Sequence, residues 1–217
     1  MEQTYIHNLN ENKTLGEMLE VNGVSIDKFK NYWQISNELI NGGLFGKIFD
    51  IGNDKVLKIS SDKKEYDAIH LLLDEINKNY DWFKHFVNLP LVICPVNENF
   101  YDSSFNNEKK YVRYYFIFKK LYKLSTIEEE CLFSILHMFD VSRIDEIEID
   151  YEDEIEDYYN KAIKETKKFE SEINVDEIIR FVFNAYELSM EHSFYDMHID
   201  NIMKDSNGNY KLIDLRL

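Results

Sequence analysis

Between residues 33 and 60 the apolar positions come in short runs, "WQISNELI", "GKIFDI" and "KVLKIS", separated by Gly or Asn. Runs of that length, rich in β-branched and aromatic residues and punctuated by turn formers, predict an antiparallel meander. Over "SDKKEYDAIHLLLDEINKNY" the period changes: Ile69, Leu72, Leu73 and Ile76 recur at helical spacing. Strand texture returns in "LPLVICPV" and "KKYVRYYFIFKKLYKL", the second long enough for a central strand. From Thr126 the helical pattern takes over. "TIEEECLFSILHMF" predicts one helix, and "VDEIIRFVFNAYELSMEHS" a second, apolar over much of its circumference and therefore buried. "NIMK" and "YKLID" read as two short strands around Asn207-Gly208, a dipeptide that favours a type I′ hairpin turn. Near the start, Thr14 and Glu17 fit a capping box and predict a short helix over about 15–21, with a further turn or two after Ser25. Sheet, then helices, then a hairpin predict an α+β chain of two lobes with a junction near residues 120–125. The expected divisions are a helical extension over 1–32, a sheet-bearing lobe over 33–122 and a reduced, mainly helical lobe over 123–217.

Composition narrows the class. With 217 residues, 44% hydrophobic and 15% aromatic, the chain can bury a real core. No apolar run approaches the roughly 20 residues of a membrane span, so no membrane association is expected. The N-terminus has neither a basic nor an apolar signal region, which predicts a cytoplasmic protein, the cytoplasm of a host cell included. Cys94 and Cys131 lie in apolar surroundings and are expected as buried, reduced thiols. The formal net charge of −16 argues against a nucleic-acid partner, because phosphate contacts need a basic surface. The excess acid serves solubility, or it attracts a cationic substrate or a basic protein partner. Asp145, Glu146, Glu148, Asp150, Glu152, Asp153, Glu154, Glu156 and Asp157 concentrate it in one run, either a solvated insertion or a docking surface.

Three groups of residues carry candidate chemistry. Gly42, Gly43, Gly46 and Gly52 are bunched, and glycines between two strands let the backbone approach a phosphate. A glycine-rich hairpin is equally an ordinary turn. Lys58 follows on an apolar strand, where an ammonium needs a partner or a ligand unless the strand is an edge facing water. Glu65 falls in the first turns of the next helix, where it can meet the lysine in competition with Asp67 and Glu75, and where an acid also complements the helix dipole. Asp196, His198, Asn201 and Asp214 form the third group. A hairpin between Asn201 and Asp214 folds the chain back, so two oxygen side chains can point at one place and hold Mg²⁺. Asp196, just upstream, can accept a proton from an attacking hydroxyl. Singly, each has a plainer explanation as a turn or surface residue.

Taken together the stretches resemble the protein-kinase-like superfamily, which includes protein kinases and aminoglycoside phosphotransferases. "GGLFGKI" looks like the tail of the glycine-rich loop, "VLKIS" like the strand-lysine motif, "YDMHIDNIM" like the catalytic loop and "LIDLR" like the metal-binding Asp motif. The resemblance spans roughly residues 33–217. It implies a two-lobed kinase-like fold with ATP and Mg²⁺ as cofactors. Gly42, Gly43, Phe45 and Gly46 would cover the phosphates, and Lys58, oriented by Glu65, would contact them. The backbone of Phe118, Lys119, Lys120 and Leu121 would meet the adenine. Asp196 would be the catalytic base with His198 beside it, and Asn201 and Asp214 would hold the metal. Phe194 stands where the catalytic loop usually has His. His198 stands where protein kinases carry Lys and the phosphotransferase branch carries His, and Leu215-Arg216 replaces Phe-Gly. The motif order implies a short form truncated after the metal-binding Asp, as in some phage and bacterial effector kinases. The implied activity is transfer of the ATP γ-phosphate to a protein Ser/Thr hydroxyl. A small-molecule kinase and a pseudokinase that docks a protein partner are the alternatives.

Overall fold

The computed structural model describes residues 46–102, 107–149 and 155–217. Its architecture is α+β, and the chain divides into two compact units. Of the described residues, one comprises those up to Lys63 and those of Leu89–Lys120, and the other those of Lys64–Asn88 and Leu121–Leu217.

The first unit is built on a four-stranded antiparallel sheet. Its strands are β1 (Gly46–Gly52), β2 (Lys55–Ser60), β3 (Val92–Asp102) and β4 (Asn107–Lys119), in the spatial order β1-β2-β4-β3. "KKYVRYYFIFKKL" therefore supplies an inner strand, as its length predicts. A two-residue hairpin joins β1 to β2 at Asn53 and Asp54, whose φ angles of 53° and 57° follow the type I′ pattern. Asn and Asp tolerate that left-handed region because their short side chains bond locally. Phe49, Leu57, Ile59, Cys94, Tyr115 and Ile117 make one apolar cluster. Lys58, Tyr114, Phe116 and Phe118 are also buried, so β2 and β4 are covered on both faces.

The second unit holds the four α-helices of the described residues. They are α1 (Lys63–Asn77), α2 (Thr126–Met138), α3 (Ile155–Thr166) and α4 (Val175–His192). A hairpin of β5 (Ile202–Lys204) and β6 (Tyr210–Leu212) completes it. Ile178, Ile179, Val182, Ala185 and Leu188 of α4 are entirely buried, the central-helix role that its apolar circumference predicts. Asn174 caps its start by accepting the Glu177 N–H. Residues 86–88 run beside β6: Leu212 N–H donates to Phe86 O at 2.7 Å, and Asn88 N–H to Leu212 O at 2.9 Å. Phe181 meets both Phe86 and Tyr210, with ring centroids 6.3 and 5.7 Å away. The hairpin is thus fixed to α4 on one side and to the 82–88 segment on the other.

Three expectations change. Asn207-Gly208 is not a type I′ turn: Gly208 has φ 89°, but Asn207 is absent from the positive-φ residues. The connection runs over 205–209 and is organised by Asp205, whose carboxylate accepts the N–H groups of Asn207 and Asn209 at 2.9 and 3.0 Å. Of the acidic run, residues 150–154 lie outside the described residues, and the remainder is not uniformly solvated. The Asp145 side chain is only 6% exposed, and Glu156 and Asp157 open α3, where negative charge complements the helix dipole. Helix α3 forms where the sequence pattern predicts no separate element. Cys94 and Cys131 are buried and free, as expected, and burial pushes the Cys131 thiol up to about 11. The predicted N-terminal helices and the strand "WQISNELI" lie outside the described residues. Among the described residues no helix is long and apolar enough to cross a membrane.

Candidate active site

Helix α4 ends at His192, and Ser193 in the left-handed region (φ 57°) turns the chain into an irregular loop over 194–201. Phe194 and Met197 anchor that loop, at 2% and 0% exposure. Between them stands Asp196, also left-handed at φ 71°. A non-glycine residue held in that region costs about 1–3 kcal/mol and persists only where its surroundings over-determine it. Here four contacts do so. Tyr195 N–H donates to Arg216 O at 3.0 Å, and Met197 N–H donates to Asp145 Oδ1 at 2.8 Å. Asn201 Nδ2 donates to Asp196 O at 2.8 Å. Arg216 Nη1 lies 2.9 Å from Asp196 Oδ2. The carboxylate is consequently fixed in direction, with its side chain still 21% exposed.

His198 approaches from the same loop. Its Nε2 is 3.6 Å from Asp196 Oδ1 and its Nδ1 3.7 Å from Asp200 Oδ2. Both distances exceed hydrogen-bond reach, so the imidazole neighbours the Asp196 carboxylate without being bonded to it. A single turn of 3₁₀-helix over Ile199–Asn201 then delivers Asn201, which is buried at 8% exposure. Ile213 N–H donates to Asn201 O at 2.9 Å, which puts the residue before Asp214 against this turn. Asp214 is itself left-handed at φ 56°.

The amide orientation of Asn201 bears on metal binding. Its nitrogen is committed to Asp196 O, so its oxygen is the atom left to meet a cation. Asp214 follows Ile213, whose N–H meets Asn201 O, so an amide and a carboxylate, both hard oxygen donor types, lie on adjoining segments. They fit Mg²⁺, which takes one or two protein oxygens and completes its shell with phosphate and water. Among the described residues no group of three or more His, Cys, Asp or Glu could hold a metal unaided.

The remaining predicted residues are distributed over both units. Lys58 lies on β2 opposite Ile48 and Phe116 and is 8% exposed, which removes the reading of an edge lysine facing water. Gly46 opens β1, whereas Gly42, Gly43 and Phe45 lie outside the described residues. Phe118 and Lys119 end β4 opposite Val56 and Lys55. Lys120 closes the β1–β2 turn: its N–H donates to Asp54 O at 2.9 Å, and its Nζ is 2.8 Å from Asp50 Oδ2. That ammonium, with the Gly52 N–H, holds the Asp50 carboxyl below its ordinary range. Leu121 begins the second unit's longer segment. Glu65 is buried in the first turn of α1 at 4% exposure, so it is not a solvated dipole acid.

Sequence reasoning missed Asp145, Arg143, Tyr195 and the role of Arg216. Asp145 is hidden among nine acids, and only the apolar Ile144 and Ile147 around it, both buried, signal that this part of the run turns inward. Tyr195 receives a hydrogen bond from Lys64 Nζ at 2.8 Å, which ties the start of α1 to the loop beside Asp196. No family model, curated protein or solved structure matches the chain.

Proposed function

We propose that the chain is a phosphotransferase of kinase-like architecture that moves the γ-phosphate of ATP to a hydroxyl, with a protein Ser or Thr as the favoured acceptor. The observation that carries this reading is the bond from Asn201 Nδ2 to Asp196 O. It binds the residue suited to proton acceptance to a residue suited to metal binding, and Ile213 N–H on Asn201 O adds the second oxygen donor, Asp214, to the same frame. The bond supports a reading in which Asn201 and Asp196 keep a set relation before any substrate arrives, and such positioning is what phosphoryl transfer chiefly requires of a protein.

In this reading Asp196 receives the proton of the attacking hydroxyl, and its rigid φ 71° geometry fixes where that hydroxyl must stand. His198 neighbours the Asp196 carboxylate, its Nε2 3.6 Å from Oδ1. Asn201 and Asp214 hold Mg²⁺, which when bound offsets the negative charge of the phosphates. Lys58, in the first unit, is buried on an inner strand, where an ammonium needs a partner or a ligand.

A second reading, a nucleotide-dependent docking module, draws on one observation: Arg216 occupies the oxygen Oδ2 of the intended base. Incubation with γ-labelled ATP and Mg²⁺, with and without a cell lysate, separates the readings. Labelled protein is the expected result. Label in a small molecule shifts the acceptor class, and nucleotide binding without transfer overturns the enzymatic reading in favour of docking.

A further inference from the structure

Asp145 has the attributes of a buried working group, yet it lies outside the stretches that carry the kinase-like resemblance. Its side chain is 6% exposed. A carboxylate so far from water needs partners, and it has two from different elements. It accepts the Met197 N–H at 2.8 Å, and the Arg143 guanidinium stands 3.4 Å away. The backbone repeats the connection: Ile144 N–H donates to Met197 O at 3.1 Å, and Arg143 bridges His198 in antiparallel fashion. Ile144, completely buried, pins the segment to the core. Residues 143–145 therefore grip residues 197–198 on the very peptide that follows Asp196.

We propose that Arg143 and Asp145 form a clamp that sets the position of the Asp196 carboxylate. Both are positioning residues, since neither touches a reacting atom. The inference rests on the phosphotransferase reading for its kinetic half and on the loop geometry alone for its structural half. The Asp145–Met197 bond is charge-assisted, stronger and more directional than a bond between neutral groups. Its loss leaves the peptide C-terminal to Asp196 held only at its carbonyl, by Asn201, with Arg216 still on the carboxylate. The carboxylate then samples orientations away from the acceptor hydroxyl. ATP contacts are untouched, so the loss appears in kcat and not in KM for MgATP.

The test compares wild type with Asp145→Ala, Asp145→Asn and Arg143→Ala by amide exchange and steady-state transfer from MgATP to an acceptor protein. In Asp145→Ala the Met197 amide should exchange on the order of tenfold faster or more while the α4 amides stay protected. kcat should fall about 10- to 100-fold, the size expected when a catalytic group is displaced by around an ångström, with KM for MgATP within about threefold. Asp145→Asn keeps the acceptor oxygen and should recover most of both losses. Arg143 is 37% exposed, so its removal leaves the core intact and should shift both readouts the same way to a smaller degree. Arg143→Ala thus keeps the proposal open to refutation if Asp145→Ala does not fold. Wild-type Met197 protection and wild-type kcat in Asp145→Ala and Arg143→Ala would overturn the clamp. A uniform loss of protection throughout α4 would do so too, because Asp145 would then support the whole unit. If wild type itself transfers no phosphate, the enzymatic reading falls, and Met197 exchange alone decides whether the clamp exists.

Discussion

Replacing Glu128 by Gln should loosen the hairpin that carries the candidate metal ligands, and the size of the effect can be worked out from its surroundings. Glu128 sits in the first turn of α2 with its side chain 6% exposed. Its Oε2 accepts the Ser125 N–H and hydroxyl, each at 2.8 Å, while its Oε1 meets Lys204 Nζ at 2.7 Å and the Tyr210 hydroxyl at 2.8 Å. One carboxylate thus joins the helix start to both strands of the hairpin. Burial by itself pushes the Glu128 carboxyl up, but the Lys204 ammonium and the bonds from Ser125 and Tyr210 outweigh it and bring it down to about 2. The sign follows: the folded protein releases this proton more readily than the unfolded chain. The stabilisation is complete above the ordinary value of 4.5 and is lost as pH falls through about 2. At neutral pH the difference amounts to about 3 kcal/mol. Gln has the shape of the protonated acid, so it should forfeit about that much, trimmed because Lys204 is 29% exposed and can turn to water. The corresponding drop in melting temperature is about 6–12 °C. Urea unfolding of both proteins from pH 7 down to about pH 3 is the assay, and the deficit should shrink to less than half across that range. A deficit equal at both ends, or one below about 1 kcal/mol at neutral pH, would refute the reasoning.

Asp196→Asn should leave MgATP affinity unchanged within about threefold and lower transfer by on the order of 10² or more, read from single-turnover rates beside a binding titration. Asp214→Ala should weaken nucleotide binding in the presence of Mg²⁺ far more than in its absence, which calorimetry with and without the metal resolves. Gly208→Ala places a side chain at φ 89° in open space, with nothing within 4 Å of the new Cβ. The cost is conformational alone, about 1 kcal/mol, and the melting temperature should fall by about 2–4 °C.

The strands and larger helices are legible in the sequence because their burial is periodic. β2 and α4 announce themselves through Leu57, Ile59, Ile178 and Val182, whose apolar character coincides with their position in the core. Where one polar side chain organises the backbone, the pattern fails. The Asn207-Gly208 dipeptide suggests a tight turn, but Asp205 collects the surrounding N–H groups and opens a longer loop. The type I′ φ pattern appears instead at Asn53-Asp54. Helix α3 buries Ala162, Thr166 and little else, so its apolar stripe is too thin to stand out behind the acids that precede it. In the candidate site Asp196, Asn201 and Asp214 are visible through spacing. Asp145 is not, because a charged residue inside an acidic run looks the same in sequence whether it faces water or a backbone amide.

The span of these contacts along the chain has a consequence in time. The bond that steadies Met197 closes 52 residues of chain, and those from Lys204 and Tyr210 to Glu128 close 76 and 82. Helices α2 and α4 need only local contacts to begin, whereas loops of that length must first meet the entropy of bringing distant segments together. The loop around Asp196 should therefore take its left-handed form late in folding, after the helices have docked. Substitutions at Asp145 and Glu128 should speed unfolding more than they slow folding. A nascent or recently refolded molecule would then have its full helical signal before the Asp196 carboxylate reaches its final position.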